Sequence, residues 1–169
     1  TMASTLRVMT NPDCGMLELA VLPTFGTRWL MPRLPDFLSR HPDIQVKLAT
    51  RSAPFDFRVS GLHAAIHYDL ADWPRAECTY LMGEDVVPVC SPAFKERHGI
   101  DRPEDLLNLP LLNITSRPAA WTNWFASQGI DLPEAGGMVF EQFLTASQAA
   151  AVDLGVVLLP RFLMEAELE

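Results

Sequence analysis

The chain has 169 residues, of which 49% are hydrophobic and 20% charged, a composition typical of a folded protein that excludes a long disordered tract. Thirteen Lys and Arg against 21 Asp and Glu give a net charge of −8, so we expect no surface that neutralises nucleic-acid phosphates. The apolar runs over 17–25 and 155–160 are far shorter than the roughly 20 residues of a membrane span, and no signal-peptide pattern opens the chain. We therefore expect a cytoplasmic protein that does not enter a membrane.

The cysteines and histidines do not form a recognisable metal or disulfide pattern. Cys14, Cys78 and Cys90 are widely spaced and include no C-x-x-C pair, so we interpret them as buried or inert thiols. His63 and His67 are four residues apart, but such a pair lacks the further ligands of a metal site. We expect neither a metal nor a cofactor.

The first predicted elements are a buried strand over 17–22 and an amphipathic helix over 29–38. Thr24 or Thr27 is available as the N-cap of this helix. Two prolines in the helical pattern predict that its first turns are kinked or irregular. A loop at the carboxyl end of the strand is where open α/β sheets bind ligands.

The same alternation continues along the chain. Residues 44–50 predict a strand, 52–63 contain a predicted helix, and 64–68 predict a third strand. This order is typical of a parallel sheet with right-handed crossovers.

A second unit begins near Val86, with a predicted strand over 86–90 and Ser91 as the N-cap of the next helix. The remaining predicted elements are a helix start at 101–107, strands at 111–114, 138–140 and 156–159, and helices at 119–128, 144–153 and 161–168, with Gly129 ending the helix over 119–128. Residues 1–16 read as a lead-in segment. Because the last predicted helix reaches Glu169 without a cap, we interpret the chain as a piece of a longer protein.

The common enzyme motifs are missing from the sequence. No G-x-S-x-G, H-E-x-x-H, G-x-x-x-x-G-K-[ST] or G-x-G-x-x-G pattern occurs. Gly136 and Gly137 are followed by neither a helix nor a lysine, which favours a plain turn over a phosphate-binding loop. We expect no catalytic residues.

Two adjoining segments carry a family resemblance: LPTFGTRWLMPRLPDF at 22–37 and RHPDI at 40–44. Together they resemble the opening of the effector-binding domain of LysR-type transcriptional regulators, in the subgroup related to the glycine-cleavage activator. Further matches follow in the order of the family, so that the resemblance spans 17–168; they lie at 64–68, 88–92, 105–107 and 155–160. One departure is Asp153, which stands where the turn of the family usually has Gly.

The resemblance implies an α/β fold like that of type 2 periplasmic binding proteins, with two Rossmann-like lobes joined by crossing strands. Lobe I would comprise 17–86 plus 160–169, and lobe II 87–159. We expect this chain to lack a carboxyl-terminal strand of the family and its amino-terminal winged helix-turn-helix, through which DNA would be bound. The resemblance also implies a homodimer or homotetramer of the full-length protein, in which a helix and a strand from opposite lobes meet side by side.

The resemblance further implies a cleft between the lobes that holds a small anionic or amino-acid-like effector. Its predicted contacts follow strands or begin helices; they are Thr24, Phe25, Thr27, Arg28, Thr50, Arg51, Ser52, His67 and Tyr68 in lobe I, and Thr115, Ser116, Arg117, Phe143 and Thr145 in lobe II. Three alternatives stay open: the two threonines of 24–27 as simple helix caps, His67 as a structural histidine, and Trp121 as a core residue instead of a cleft wall.

The function that this resemblance implies is ligand sensing for a bacterial transcription factor. A solute-binding protein of the same fold is the alternative, but it would require a secretion signal. An enzyme on this fold, such as a dehydratase, would need a convergent acid and base, and we find no paired carboxylates in the predicted cleft loops.

Overall fold

The computed structural model describes residues 2–5, 15–53, 55–68, 73, 76–132 and 136–164. The chain divides into two compact units, Thr1–Glu84 and Asp85–Glu169, and each contains its own sheet. The lobe boundaries expected from the sequence stay a prediction.

The first unit contains a five-stranded mixed sheet in the order β3-β2-β4-β1-β5. β2 runs parallel to β3 and β4, whereas β1 runs antiparallel to β4 and β5. The predicted strands near 17–22, 44–50 and 64–68 are confirmed, while β1 and β5 were not predicted. The strands are β1 (Met2–Thr5), β2 (Met16–Val21), β3 (Gln45–Thr50), β4 (Ala64–Ile66) and β5 (Thr79–Met82).

The helical segment after β2 is irregular, as its prolines predicted. Pro32 and Pro35 lack a backbone N–H and cannot donate to the preceding turn. The segment accordingly passes through three kinds of helix: α1 (Pro23–Phe25), a π-helical stretch over Gly26–Leu30, a 3-10 turn over Met31–Arg33, and α2 (Leu34–Arg40).

The predicted threonine cap of this segment is wrong. Its N-cap is Leu22, which makes no side-chain capping hydrogen bond. The Thr27 hydroxyl instead donates to the Pro23 carbonyl oxygen, four residues back, at 3.1 Å. Gly26 is required here because a Cβ at this position would run into the Val21 side chain of β2. Close packing of helix on strand therefore fixes the geometry where β2 ends.

A short helix and an aromatic group complete the first unit. α3 (Phe57–Ser60) is capped by Asp56, whose carboxylate accepts a hydrogen bond from the Arg58 N–H at 2.9 Å. The ring of Phe57 packs near those of Phe55 and Trp73, with centroids 4.8 and 5.3 Å away. Phe57 and Trp73 belong to one core cluster with Ala20, Leu62 and Ala65.

The second unit contains a four-stranded sheet in the order β6-β9-β7-β8. β7 runs parallel to β8 and β9, and β6 runs antiparallel to β9. All four were predicted to within a residue or so: β6 (Val86–Val89), β7 (Leu111–Ile114), β8 (Val139–Phe140) and β9 (Val156–Pro160).

The helices of the second unit are α4 (Pro92–His98), α5 (Ala120–Ser127) and α6 (Phe143–Ala151). The Ser91 cap is confirmed, since its hydroxyl accepts from the Phe94 N–H at 2.9 Å. The predicted helix start at 101–107 is a 3-10 turn over Pro103–Leu106. Of the predicted helix over 161–168, the structure has a 3-10 turn at Arg161–Leu163, and 165–168 lie outside the described residues.

The core of the second unit lies between α5 and the sheet. Trp121 and Phe125 are 1% and 0% exposed and pack with Leu111 and Val156 in one cluster. The Trp121 indole N–H donates to the Leu112 carbonyl oxygen at 3.0 Å, so its polar atom is satisfied inside the core. The core interpretation of Trp121 is confirmed.

Asp153 adopts the left-handed backbone that its turn requires, with φ of 65°. Its carboxylate accepts a short hydrogen bond from the Ser91 hydroxyl and forms an ion pair with Arg97 at 2.5 Å. Aspartate tolerates this conformation better than most residues, so the replacement of the family's glycine leaves the turn intact.

Candidate functional site

Three of the predicted segments leave the first sheet at one edge. Val21 is aligned with Thr50 of β3 and with Ile66 of β4, and all three strands are parallel. The loops that follow these strands therefore begin side by side, as ligand-binding loops do in open α/β sheets. The structure brings together 22–28, 50–52 and 67–68 in this way.

The four predicted residues after β2 differ in exposure. Thr24 is 7% and Phe25 1% exposed, whereas Thr27 is exposed and Arg28 half-buried. The Phe25 ring stacks on that of Trp29, with centroids 4.8 Å apart. Phe25 thus acts mainly in packing, and the surface at this position is formed by Thr27, Arg28 and a small part of Thr24.

Thr50, Arg51 and Ser52 are all exposed at the end of β3. The Arg51 N–H donates to the Val21 carbonyl oxygen at 3.2 Å, which carries the β2–β3 pairing one residue further. Its guanidinium donates to the Thr50 carbonyl oxygen at 3.1 Å. These contacts hold the start of the loop against the sheet.

His67 is 9% exposed, and both of its ring nitrogens face backbone carbonyl oxygens. Nδ1 lies 2.9 Å from the oxygen of Tyr68, and Nε2 lies 3.2 Å from that of Ser52. Trp73 packs edge-on against the imidazole and donates its indole N–H to Phe55. These contacts support the structural alternative for His67, which ties two loops together. Sequence reasoning missed Trp73, which has no periodic neighbours to mark it as core.

In the second unit, the structure brings Thr115, Arg117 and Phe143 together where β7 and β8 end. The Thr115 N–H and hydroxyl both donate to the Phe140 carbonyl oxygen, at 2.8 and 3.2 Å. The Arg117 guanidinium lies over the Phe143 ring, 4.6 Å from its centroid, a cation–π contact that orients the charge. Ser116 is exposed beside them.

Thr145 is exposed in the first turn of α6. The N-cap of this helix is Gln142, which makes no side-chain capping hydrogen bond. The first N–H groups of a helix have no intrahelical acceptor, so this end of α6 presents donors. Together with Arg117 they form a surface suited to an anionic group.

The predicted site residues supply hydroxyls, guanidinium groups and ring faces, and none of them is acidic. His63 accepts a hydrogen bond from the Glu18 N–H at its Nδ1, at 3.0 Å. Across the described part of the chain, no group of three or more His, Cys, Asp or Glu is placed to hold a metal ion.

None of the helices in the described part of the chain has the length and hydropathy of a bilayer span.

A family model, the LysR substrate binding domain, matches residues 10–169. The transcriptional activator AmpR of Rhodobacter capsulatus is 31% identical over 153 residues, which are 90% of this chain and 52% of that protein. The regulator TrpI of Pseudomonas aeruginosa is 34% identical over 154 residues, 89% of this chain and 52% of TrpI. The chain thus spans about half the length of these curated relatives.

The predicted subgroup is represented among the relatives as well. The glycine cleavage system transcriptional activator of Escherichia coli is 29% identical over 168 residues, 98% of this chain and 55% of that protein.

Solved structures agree with the sequence comparisons. The effector domain of AmpR from Pseudomonas aeruginosa superposes with a TM-score of 0.81 at 31% identity, covering 90% of this chain and 74% of that one. The AmpR effector-binding domain of Citrobacter freundii gives 0.81 at 30% identity, with 90% and 76% covered. The fold is therefore of the type 2 periplasmic-binding class, and this is a binding domain and not a catalytic one. The chain belongs to the LysR substrate binding domain family.

Proposed function

We propose that this chain is the effector-sensing part of a LysR-type transcriptional regulator. The match over 10–169 supports this, as do relatives that are named HTH-type regulators. Because the chain spans about half of those relatives, we assign DNA binding to the portion of such a regulator outside the match. A protein that controls transcription in a bacterium would work in the cytoplasm.

The observation that carries the proposed site is the alignment of Val21 with Thr50 and Ile66. It gives the first unit three adjacent loops at the carboxyl edge of its sheet. In this proposal the effector contacts are the predicted residues of these loops and, in the second unit, those at the ends of β7 and β8 and at the start of α6. That one effector contacts both units is an expectation from the family resemblance.

The chemistry of these residues favours a small anionic effector, such as an amino acid or an organic acid. Arg28 and Arg117 supply positive charge, and a guanidinium can bind a carboxylate through two parallel hydrogen bonds. In this proposal Phe25 and His67 act by shaping the site, because their own contacts are with Trp29 and with backbone carbonyls.

A thermal-shift screen tests this proposal. The protein is heated with amino acids, aromatic acids and central metabolites, and each hit is repeated on Thr24→Ala and Arg117→Ala. A ligand at a hundredfold excess over its dissociation constant stabilises the folded state by about 2.7 kcal/mol, which is readily detected. We expect both variants to lose most of the shift.

Matched controls separate a lost contact from a damaged fold. Thr24→Ser keeps the hydroxyl at this buried position and should keep binding, while Thr122→Ala and Arg40→Ala change exposed residues outside the site. A hit that survives both site variants would contradict the proposed contacts. Equal shifts from an acid and its neutral amide would contradict an anionic effector.

We also propose that the protein dimerises through a helix of one subunit and a strand of the other. Two exposed apolar regions support this. Met31 and Leu38 lie on the helical segment before β3 and are 50% and 37% exposed, and Val139 is 63% exposed on β8, at the edge of its sheet. The free energy falls when a partner covers water-exposed apolar side chains of this size.

A further inference from the structure

The second unit contains a cavity of about 260 Å³ that is separate from every residue of the proposed effector site. It lies among β6, α4, the 3-10 turn over Pro103–Leu106, α5 and β9. Its lining is Pro88, Cys90, Lys95, Ile100, Asp101, Arg102, Pro103, Leu106, Trp124 and Val156. All of these residues belong to the second unit.

The inner lining of the cavity is apolar. Leu106 and Val156 are 2% and 1% exposed and belong to the core, and Trp124 and Ile100 pack against the same cluster half-buried. Burial raises the pKa of the Cys90 thiol, which therefore stays neutral and adds to the apolar surface. A ring or a branched alkyl group packed against this surface would be partly desolvated, because the cavity opens to solvent.

The rim of the cavity carries charges of both signs. Lys95 and Arg102 are exposed, and no ion pair to either is formed by a described residue. Asp101 adds one negative charge to the lining and the neighbouring Asp105 carboxylate adds another, so the charges of these four residues cancel. The Lys95 ammonium and the Arg102 guanidinium can still donate charge-assisted hydrogen bonds to an anionic group at the rim.

The rim is held in place by its own hydrogen bonds. The Asp105 carboxylate accepts from the backbone N–H groups of Asp101 and Arg102, at 3.0 and 2.8 Å. Ile100 donates its N–H to the Lys95 carbonyl oxygen at 3.2 Å, after the left-handed Gly99. The segment that carries Arg102 is thereby fixed relative to α4, and the site is largely preformed.

The volume limits the size of the ligand. A dry cavity of roughly 150 Å³ holds one benzene molecule, whereas pockets that bind drug-sized ligands measure roughly 300 Å³ or more. A cavity of about 260 Å³ therefore accommodates one ring and a short acidic group. We propose that this cavity is a second ligand site, which binds a small carboxylate bearing a single aromatic or branched aliphatic group.

Fluorine NMR with 4-fluorophenylacetate as the probe tests this site. We expect binding with a dissociation constant below about 1 mM, and at least about tenfold weaker binding of 4-fluorophenylacetamide, which has the same shape and no charge. Lys95→Gln with Arg102→Gln should weaken the acid at least about tenfold and leave the amide unchanged. Arg40→Gln removes one positive charge from an exposed helix of the other unit and should change neither.

Alkylation of Cys90 tests whether the probe binds in this cavity. Iodoacetamide labelling followed by peptide mass spectrometry should show that 4-fluorophenylacetate slows modification of Cys90 at least about threefold, while Cys78 in the first unit is labelled at an unchanged rate. The reaction is run at mildly alkaline pH, because the raised pKa of Cys90 slows it at neutrality.

Three outcomes would overturn the proposal: no binding at millimolar concentration, equal affinity for the acid and the amide, or labelling of Cys90 that the acid does not slow. Loss of binding in Thr24→Ala and Arg117→Ala, with binding intact in the Lys95 and Arg102 variants, would also overturn it. That last result would instead support the proposed effector site, so the two proposals can fail independently.

Discussion

Asp153 connects two parts of the second unit that are far apart in the chain. Its carboxylate accepts hydrogen bonds from the hydroxyl of Ser91, which is the N-cap of α4, and from the guanidinium of Arg97. The hydrogen bond from Ser91, followed by that from Arg97, lowers the pKa of Asp153 from its ordinary value of 3.8. The ionised carboxylate is therefore the form that the folded state favours.

Replacing Asp153 by Asn should remove part of the pH dependence of the protein's folding stability. A carboxyl whose pKa is lowered by folding stabilises the native state above its unfolded pKa, and this contribution is lost as pH falls through the folded pKa. We expect the wild type to unfold at a higher temperature than Asp153→Asn at neutral pH, and this difference to shrink below about pH 4. Thermal unfolding across a pH series measures it.

Two further variants separate charge from backbone in this prediction. Asp153→Ala should lower the melting temperature by several degrees more than Asn, since a methyl side chain at φ of 65° is strained. Asp131→Asn, at an exposed position of the same unit, is the control and should leave the pH dependence unchanged. A constant difference between wild type and Asp153→Asn at every pH would contradict the role of the carboxylate.

At the scale of elements, the strands with apolar periodicity were predictable and the others were not. β9 is apolar and buried throughout, and β2 and β7 are apolar except for Glu18 and Asn113. β5 is largely exposed and shows no such pattern, and β1 belongs to the segment that read as a lead-in. The antiparallel direction of β6 depends on pairing between distant residues, which periodicity along the chain cannot specify.

The same reasoning explains what was predictable about the site. Placing functional residues after strands correctly brought three loops of the first unit to one sheet edge. Helical periodicity did not indicate that the N-cap is Leu22 and that neither Thr24 nor Thr27 takes this position. The two carbonyl contacts of His67 depend on loop geometry, and the cavity beside Cys90 depends on packing among five elements.

Helix α5 is held to the second sheet mainly by its buried aromatic face. Phe125→Ala should lower the free energy of unfolding by about 3–5 kcal/mol, because it removes a fully buried ring and leaves a cavity. Asn123→Ala, on the exposed face of the same helix, should change it by less than about 0.5 kcal/mol. Urea denaturation followed by circular dichroism measures both, and equal losses would show that α5 does not anchor the core.

At the scale of the whole molecule, two exposed apolar surfaces lead to the proposed dimer. We expect sedimentation velocity at high micromolar concentration to show a dimer that dissociates on dilution. Val139→Lys on β8 should raise the dissociation constant of the dimer at least about tenfold, because it places a charge in the interface.

Val59→Lys is the matched control for the dimer. Val59 lies on α3 and is 86% exposed, so the same change there should leave association unaltered. A wild-type monomer throughout, or equal weakening by the two lysine variants, would contradict an interface that includes β8.

β1 lies between β4 and β5 in the first sheet. The family match begins at residue 10, so a version of the chain trimmed to that match would lose this strand. Two rows of backbone N–H and carbonyl groups, one on each neighbouring strand, would then have no partner. Such open strand edges pair readily with other chains, so the trimmed protein would be prone to aggregate even with every predicted ligand contact intact.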